Sequence, residues 1–256
     1  LMLLDEPDVH LFYTEESFDG SNYGRLWLRE LMENFGTDRW CVVADGDELM
    51  APPLWEVTDL HRVTAFLDSE GAEALPCHLL DMYSDGPVRA SKAVPGSDLL
   101  KVCPFFDPGF HPFDGFFTEG DQRHPIRTFV GSTRKKAFGL NAYLSKIGMI
   151  TYRPGVKLTS GQHAVFGARE SEVRGVMFHF KFMADFVSRL EEENNRDERT
   201  SQSHEWDAYA EAFQANPDLS LFDEASVRHQ NSRQLIQLGI MATTPPYESI
   251  AKGVGK

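Results

Sequence analysis

The chain is short of several things at once. Its three cysteines, Cys41, Cys77 and Cys103, form no Cys-x-x-Cys pair, which excludes a disulfide framework and a zinc knuckle and fits a reducing cytoplasm. No apolar stretch reaches the ~18 residues of a membrane span, and no basic-plus-apolar leader is visible. Basic residues are scarce: 25 Lys and Arg stand against 39 Asp and Glu, a formal net charge of -14. Such a balance excludes general affinity for nucleic acid or for an anionic membrane surface, since both need a positive field. Any polyanion must be met by local cations. No internal repeat or low-complexity tract breaks the 256 residues, and the length suffices to bury a sizeable core.

What is present is concentrated at Arg39-Trp40-Cys41-Val42-Val43-Ala44-Asp45-Gly46-Asp47-Glu48, an apolar run that stops on three acids. The run reads as a strand buried on both faces, and in open α/β sheets ligands sit beyond the carboxyl ends of strands. Hard oxygen ligands there suit Mg²⁺ or Mn²⁺, and such ions suit a diphosphate. Asp and Gly are equally the commonest turn formers, so an ordinary acidic turn has the same spelling.

Along the chain the patterning predicts a strand at Pro7–Tyr13, an amphipathic helix from Tyr23 to Phe35, a strand at Trp40–Ala44, a helix from Thr58 to Gly71 and a strand at Ala74–Tyr83. This alternation predicts an α/β sheet with crossover helices. Pro95 to Gly139 reads as a long aromatic-rich loop, of the kind that serves as a lid or binding rim. Short strands at Met149–Arg153 and Val176–Phe180 follow. Helices are expected at Phe182–Glu193, Glu205–Ala215 and Ser226–Leu238, with a polar stretch through Ser203 between the first two.

Four segments together carry a resemblance: Trp40 through Glu48, Leu80-Asp81-Met82-Tyr83-Ser84-Asp85, His179-Phe180-Lys181-Phe182 and Ser232-Arg233-Gln234-Leu235. On them the chain resembles the family 2-like glycosyltransferases with a GT-A fold, in the bacterial branch whose acidic motif reads Asp-x-Asp-Glu. The resemblance implies a Rossmann-like mixed α/β sheet flanked by helices, with residues 1–181 as the catalytic domain and 182–256 as a helical extension packed on it. It also implies that the chain begins inside the domain, behind the strand and loop with which such families bind base and ribose.

The implied activity is metal-dependent, inverting transfer of a sugar from a nucleotide-sugar donor to a glycan or lipid-linked acceptor. A cytoplasmic enzyme of polysaccharide biosynthesis, with peripheral contact at the inner membrane face left open, follows from the same resemblance. Mn²⁺ or Mg²⁺ would neutralise the leaving diphosphate. Asp45 and Asp47 are the implied metal and donor residues, with Asp47 touching the ion and Asp45 acting through water or the ribose. His179 is implied as a further metal ligand and Lys181 as the partner of a phosphate oxygen. On an apolar strand a histidine is otherwise more often a core residue, and a lysine there a snorkelling one.

Inversion needs a general base for the acceptor hydroxyl. The carboxylates available are Asp114, Glu119 and Asp121 in the aromatic-rich stretch and Asp81 at its strand end; each could instead cap its own turn. Glu48 stands as a supporting acid and His163 as a further active-site candidate. Gly131-Ser132-Thr133-Arg134-Lys135-Lys136 could hold a phosphate through Arg134, or form a solvated turn. Two other classes remain open: a metal-dependent phosphoester hydrolase using Asp45, Asp47 and His179, and a silent fragment that binds a partner.

Overall fold

The computed structural model describes residues 6–18, 20–119, 122–194 and 203–253. In chain order the elements are α1 (Arg25–Leu31), which runs into a π-helical turn at Met32–Gly36, then β1 (Trp40–Val42), β2 (Glu48–Ala51), α2 (Leu60–Glu70), β3 (Ala74–Asp81), α3 (Leu99–Val102) and β4 (Phe105–Phe106). There follow β5 (Phe110–Glu119), β6 (Gln122–Gly131), α4 (Ser132–Phe138), β7 (Ser145–Thr151), β8 (Lys157–Leu158), β9 (Val165–Phe166) and β10 (Gly175–His179). The last are α5 (Ala184–Asn194), α6 (Ser203–Ala215), β11 (Val227–Arg228), α7 (Ser232–Gln237) and α8 (Pro245–Ala251).

The architecture is mixed α/β, a central mixed sheet flanked by helices. Its strand order is β1-β7-β3-β10-β2; β3 and β10 run parallel and every other pair is antiparallel. The two parallel strands are the buried heart of the sheet, with seven of eight positions buried in β3 and all five in β10. Continuous apolar runs of this kind belong where both faces are covered. Helix α2 covers one face with Val63, Phe66 and Leu67, capped by the Asp59 side chain at its start and by Gly71 at its end. Each such side chain contributes ~1.5–3 kcal/mol by leaving water.

Several expectations are corrected here. Pro7–Tyr13 is irregular and exposed rather than a strand. The Trp40 run is an edge strand, half-exposed and paired only with β7, so its apolar side chains do not signal burial on two faces. Strand β7 enters antiparallel between β1 and β3, which removes the simple crossover arrangement. The supposed loop of 95–139 holds the long hairpin β5–β6, paired from Phe110↔Gly131 to Glu119↔Gln122. Pro112, Gly115 and Pro125 within it break the strand pattern in the sequence; in a ribbon with open edges a proline loses little, because its missing N–H can face solvent. The polar stretch of residues 195–202 lies outside the described residues.

Residues after 181 complete the same cores. Tyr83, Phe182, Phe186, Tyr209 and Phe213 cluster under α5 and α6, Leu235 of α7 joins Leu80 and Phe178, and Tyr247 of α8 packs on Phe66 and donates to Pro53 O at 2.7 Å. Strand β2, at the sheet edge beside β10, packs closely against two glycines. A Cβ at Gly175 would stand 2.8 Å from Ala51 O, and one at Gly148 would stand 2.5 Å from Cys77 Sγ and 2.9 Å from Met50 Cγ. Among the described residues no helix is long and apolar enough to cross a membrane.

Candidate functional site

The carboxyl ends of β3 and β10 lie side by side, with Asp81 opposite His179 in the parallel register and Glu48 opposite His179 on the other side. The Asp45–Asp47 turn crosses this end of the sheet between β1 and β2. It is tied down by its backbone: Phe180 N donates to Asp47 O at 2.9 Å and Glu48 N to Asp45 O at 3.1 Å. Three sequence-distant segments thus converge on one imidazole.

On its inner side His179 Nδ1 lies 2.7 Å from Asp81 Oδ1. Asp81 in turn receives a bidentate contact from Arg134, Nε to Oδ2 at 2.8 Å and Nη2 to Oδ1 at 3.0 Å. Burial alone would push the Asp81 carboxyl up, but the Arg134 guanidinium and His179 hold it well below the usual carboxylate range. An ionised carboxylate only accepts, so Nδ1 donates to Asp81 and Nε2 is the ring nitrogen turned toward Asp47. Arg134 Nη2 also lies 3.0 Å from Nδ1, a close approach that follows from both groups sharing Oδ1.

On its outer side Nε2 stands 3.6 Å from Asp47 Oδ2. The same oxygen lies 3.9 Å from Arg189 Nη1 on α5. The Asp47 side chain is 28% exposed and that of His179 only 9%, so the carboxylate opens to solvent and the ring nitrogen lies largely covered behind it. This N,O pair could hold a Mn²⁺ or Mg²⁺ ion, with water or phosphate oxygens in the other positions. A histidine whose second nitrogen is fixed by a carboxylate is the usual supporting arrangement around a metal. Among the described residues no three His, Cys, Asp or Glu side chains converge as a ready-made cage.

Asp45 and Glu48 face elsewhere. Lys146 Nζ, on β7, lies 2.8 Å from Asp45 Oδ2 and 2.9 Å from Glu48 Oε1, and donates to Gln162 Oε1 at 3.1 Å. The other Glu48 oxygen accepts from Asp45 N at 3.0 Å. His163 stands beside Gln162. Its Nδ1 donates to Ser145 O at 2.7 Å, and burial pushes its pKa down to about 4, which makes it a neutral part of the wall.

The remaining expected residues separate. Asp81 is at the site, but its locked, fully buried carboxylate is a poor proton acceptor, which removes it as a general base. Arg134 likewise turns Nε and Nη2 to Asp81 and is buried, so two of its three nitrogens are taken up inside the core rather than offered to a phosphate. Its neighbours diverge around α4: Lys136 pairs with Asp107 and Asp223, while Lys135 points to Gly139 O. Asp114 lies on β5, almost wholly in solvent, 3.9 Å from Arg127. Glu119 ends β5 at the hairpin tip, and Asp121 lies outside the described residues.

Lys181 follows β10 and sits among aromatic rings, its Nζ 5.7 Å from the Phe186 centroid, 5.3 Å from Trp206 and 4.9 Å from Tyr209. Burial, and then Arg134, bring its pKa down to about 8, with Glu205, Asp81 and Asp47 acting the other way.

Sequence reasoning missed Lys146, Gln162 and Arg189. Lys146 had a signal: a single cation in Ser145-Lys146-Ile147-Gly148-Met149-Ile150, where a lysine is buried only if paired. Gln162 and Arg189 had none, being ordinary polar residues of a turn and a helix. Compared with protein-family models, with curated proteins and with solved structures, the chain matches none.

Proposed function

We propose that the chain is a glycosyltransferase that moves a sugar, with inversion, from a nucleotide-sugar donor to the hydroxyl of a glycan or lipid-linked acceptor, with Mn²⁺ or Mg²⁺ at Asp47 and His179. The observation that carries this reading is the outward Nε2 of His179 facing Asp47 Oδ2 at 3.6 Å, with Nδ1 fixed behind it by Asp81. When bound there, the ion would supply Lewis-acid neutralisation of the leaving diphosphate. Asp47 and His179 hold it, Asp81 and Arg134 orient the imidazole, and Arg189 places further positive charge beside Asp47, with Lys181 behind it near enough to feel the Asp47 charge. Phe113 and Phe116 on the hairpin keep exposed rings, which suits stacking on a sugar face. The acidic surface elsewhere confines diphosphate binding to this local group of cations.

Thermal-shift titration tests the reading, with Mn²⁺ or Mg²⁺ and each of UDP, GDP, CDP and dTDP, repeated with EDTA and with Asp47→Ala. A ligand that binds only the folded state raises the melting temperature, by ~2.7 kcal/mol of stabilisation at a hundredfold excess over Kd. The expected result is a metal-dependent rise with one nucleotide that Asp47→Ala abolishes. Absence of a rise with all four, or phosphoester cleavage that needs no acceptor, overturns it.

A further inference from the structure

Among the described residues, Lys146 is the one buried cation that touches the acidic turn without touching His179. Its side chain is 4% exposed. An ammonium has three protons, and three acceptors meet them: Asp45 Oδ2 at 2.8 Å, Glu48 Oε1 at 2.9 Å and Gln162 Oε1 at 3.1 Å. The acceptors are themselves held. The Glu48 side chain is 1% exposed and accepts from Asp45 N at 3.0 Å, so Lys146 governs the Asp45 backbone through Glu48 and the Asp45 carboxylate directly. Gln162 sits in a turn tied to β7 by two contacts, His163 Nδ1 to Ser145 O at 2.7 Å and Ser145 Oγ to His163 O at 2.9 Å.

We propose that Lys146 is a positioning residue: it is the built-in counter-ion shared by Asp45 and Glu48, and by holding both of them it leaves Asp47 as the acid of the turn that a divalent ion takes with His179. This deepens the transferase reading and rests on it for the identity of the ion. The physical argument is one of competing cations. A divalent ion on Asp45 would share a carboxylate with an ammonium already 2.8 Å away, and two cations held on one carboxylate repel each other. Ejecting Lys146 would in turn leave Glu48 buried without a partner, a costly state for a carboxylate. Asp47 has no such ammonium; its cationic neighbour Arg189 stands 3.9 Å away on a half-exposed side chain that can swing aside.

The test is Mn²⁺ binding to the full chain, followed by the free-ion electron paramagnetic resonance signal, for the native protein, Asp45→Asn, Asp47→Ala, Lys146→Met and Lys146→Arg. The expected pattern is one Mn²⁺ per native chain, lost in Asp47→Ala and weakened less than about tenfold in Asp45→Asn, the lower end of the losses seen for outer-shell changes. Lys146→Met is expected to bind a second Mn²⁺, at the Asp45 and Glu48 carboxylates it uncovers, and Lys146→Arg is expected to restore the native count of one. A merely structural lysine would lower stability without creating an ion site. Equal loss of Mn²⁺ in Asp45→Asn and Asp47→Ala overturns the proposal, as does Lys146→Met with the native count and affinity. Because Asp45 is half in solvent, Asp45→Asn folds and decides the matter even if Lys146→Met does not. A native chain that binds no Mn²⁺, beside a Lys146→Met chain that gains one, would sink the metal reading of Asp47 and His179 while leaving Lys146 as the counter-ion; no binding by either would sink both.

Discussion

Asp81 and Asp47 approach the same imidazole from opposite sides, 2.7 Å from Nδ1 and 3.6 Å from Nε2. The Asp81 side chain is wholly buried and meets a guanidinium through both oxygens; Asp47 is 28% exposed and meets only long contacts. One residue type thus does two different jobs within a few ångströms. The inner carboxylate is part of the core's electrostatics, fixed in charge and in place, whereas the outer one is held by its backbone and keeps its oxygens available. Depth, rather than chemistry, decides which of them can meet a ligand.

The comparison breaks most visibly through Arg134. Arg134→Met strands the Asp81 charge in the interior and should cost ~3–5 kcal/mol in urea unfolding, while a double change with Asp81→Leu should recover much of that, since an apolar pair can replace a buried ion pair. If Arg134→Met costs less than ~1 kcal/mol, the inner carboxylate is not the locked partner described here.

Acid separates the two regions next. His78 is fully buried between Phe110 and Phe129 with both ring nitrogens unpartnered. Burial, with Arg174 nearby, pushes it from 6.5 down to about 3, and burial pushes His163 from 6.5 down to about 4. Below pH 6.5 the unfolded chain therefore binds more protons than the folded one. These two histidines contribute their stability above pH 6.5 and lose it as pH falls toward 4, by on the order of 3 kcal/mol each. Urea midpoints at pH 7.5 and 4.5 measure the loss, and His78→Leu should flatten it; equal midpoints would contradict neutral burial.

The smallest effects belong to the outer acids. Asp47→Ala and Asp114→Asn should each change stability by no more than ~0.5 kcal/mol, the range of exposed substitutions. Asp47→Ala should nevertheless remove the metal-linked rise in melting temperature while Asp114→Asn leaves it in place. A large loss of stability in Asp47→Ala would mean that it too belongs to the core.

Periodicity made α2, β3 and β10 legible, because each is a long, uninterrupted pattern with a clear face or a continuous apolar run. The hairpin was not, since its prolines and Gly115 interrupt the alternation and its register is set by a partner strand rather than by local propensity. At the site, Asp45, Asp47 and His179 were legible as residues that meet at strand ends. Asp81 and Arg134 were also named there, but not their roles: Asp81 reads in sequence like any acid after an apolar run, and only the adjacent ends of two parallel strands show that it faces inward. Arg134 reads as one of three surface cations, yet a helix turns ~100° per residue, so adjacent members of a basic run point in different directions.

Gly175 touches none of the polar groups of the site, and β2 pairs beside the strand it opens so closely that a methyl group there would meet Ala51 O at 2.8 Å. Strand β2 begins at Glu48, directly after Asp47. A change of one hydrogen for one methyl, far from Asp47 in sequence and outside any ligand's reach, would therefore lift the strand that ends the acidic turn. The placement of the acids thus depends on a position where the chain has no side chain at all.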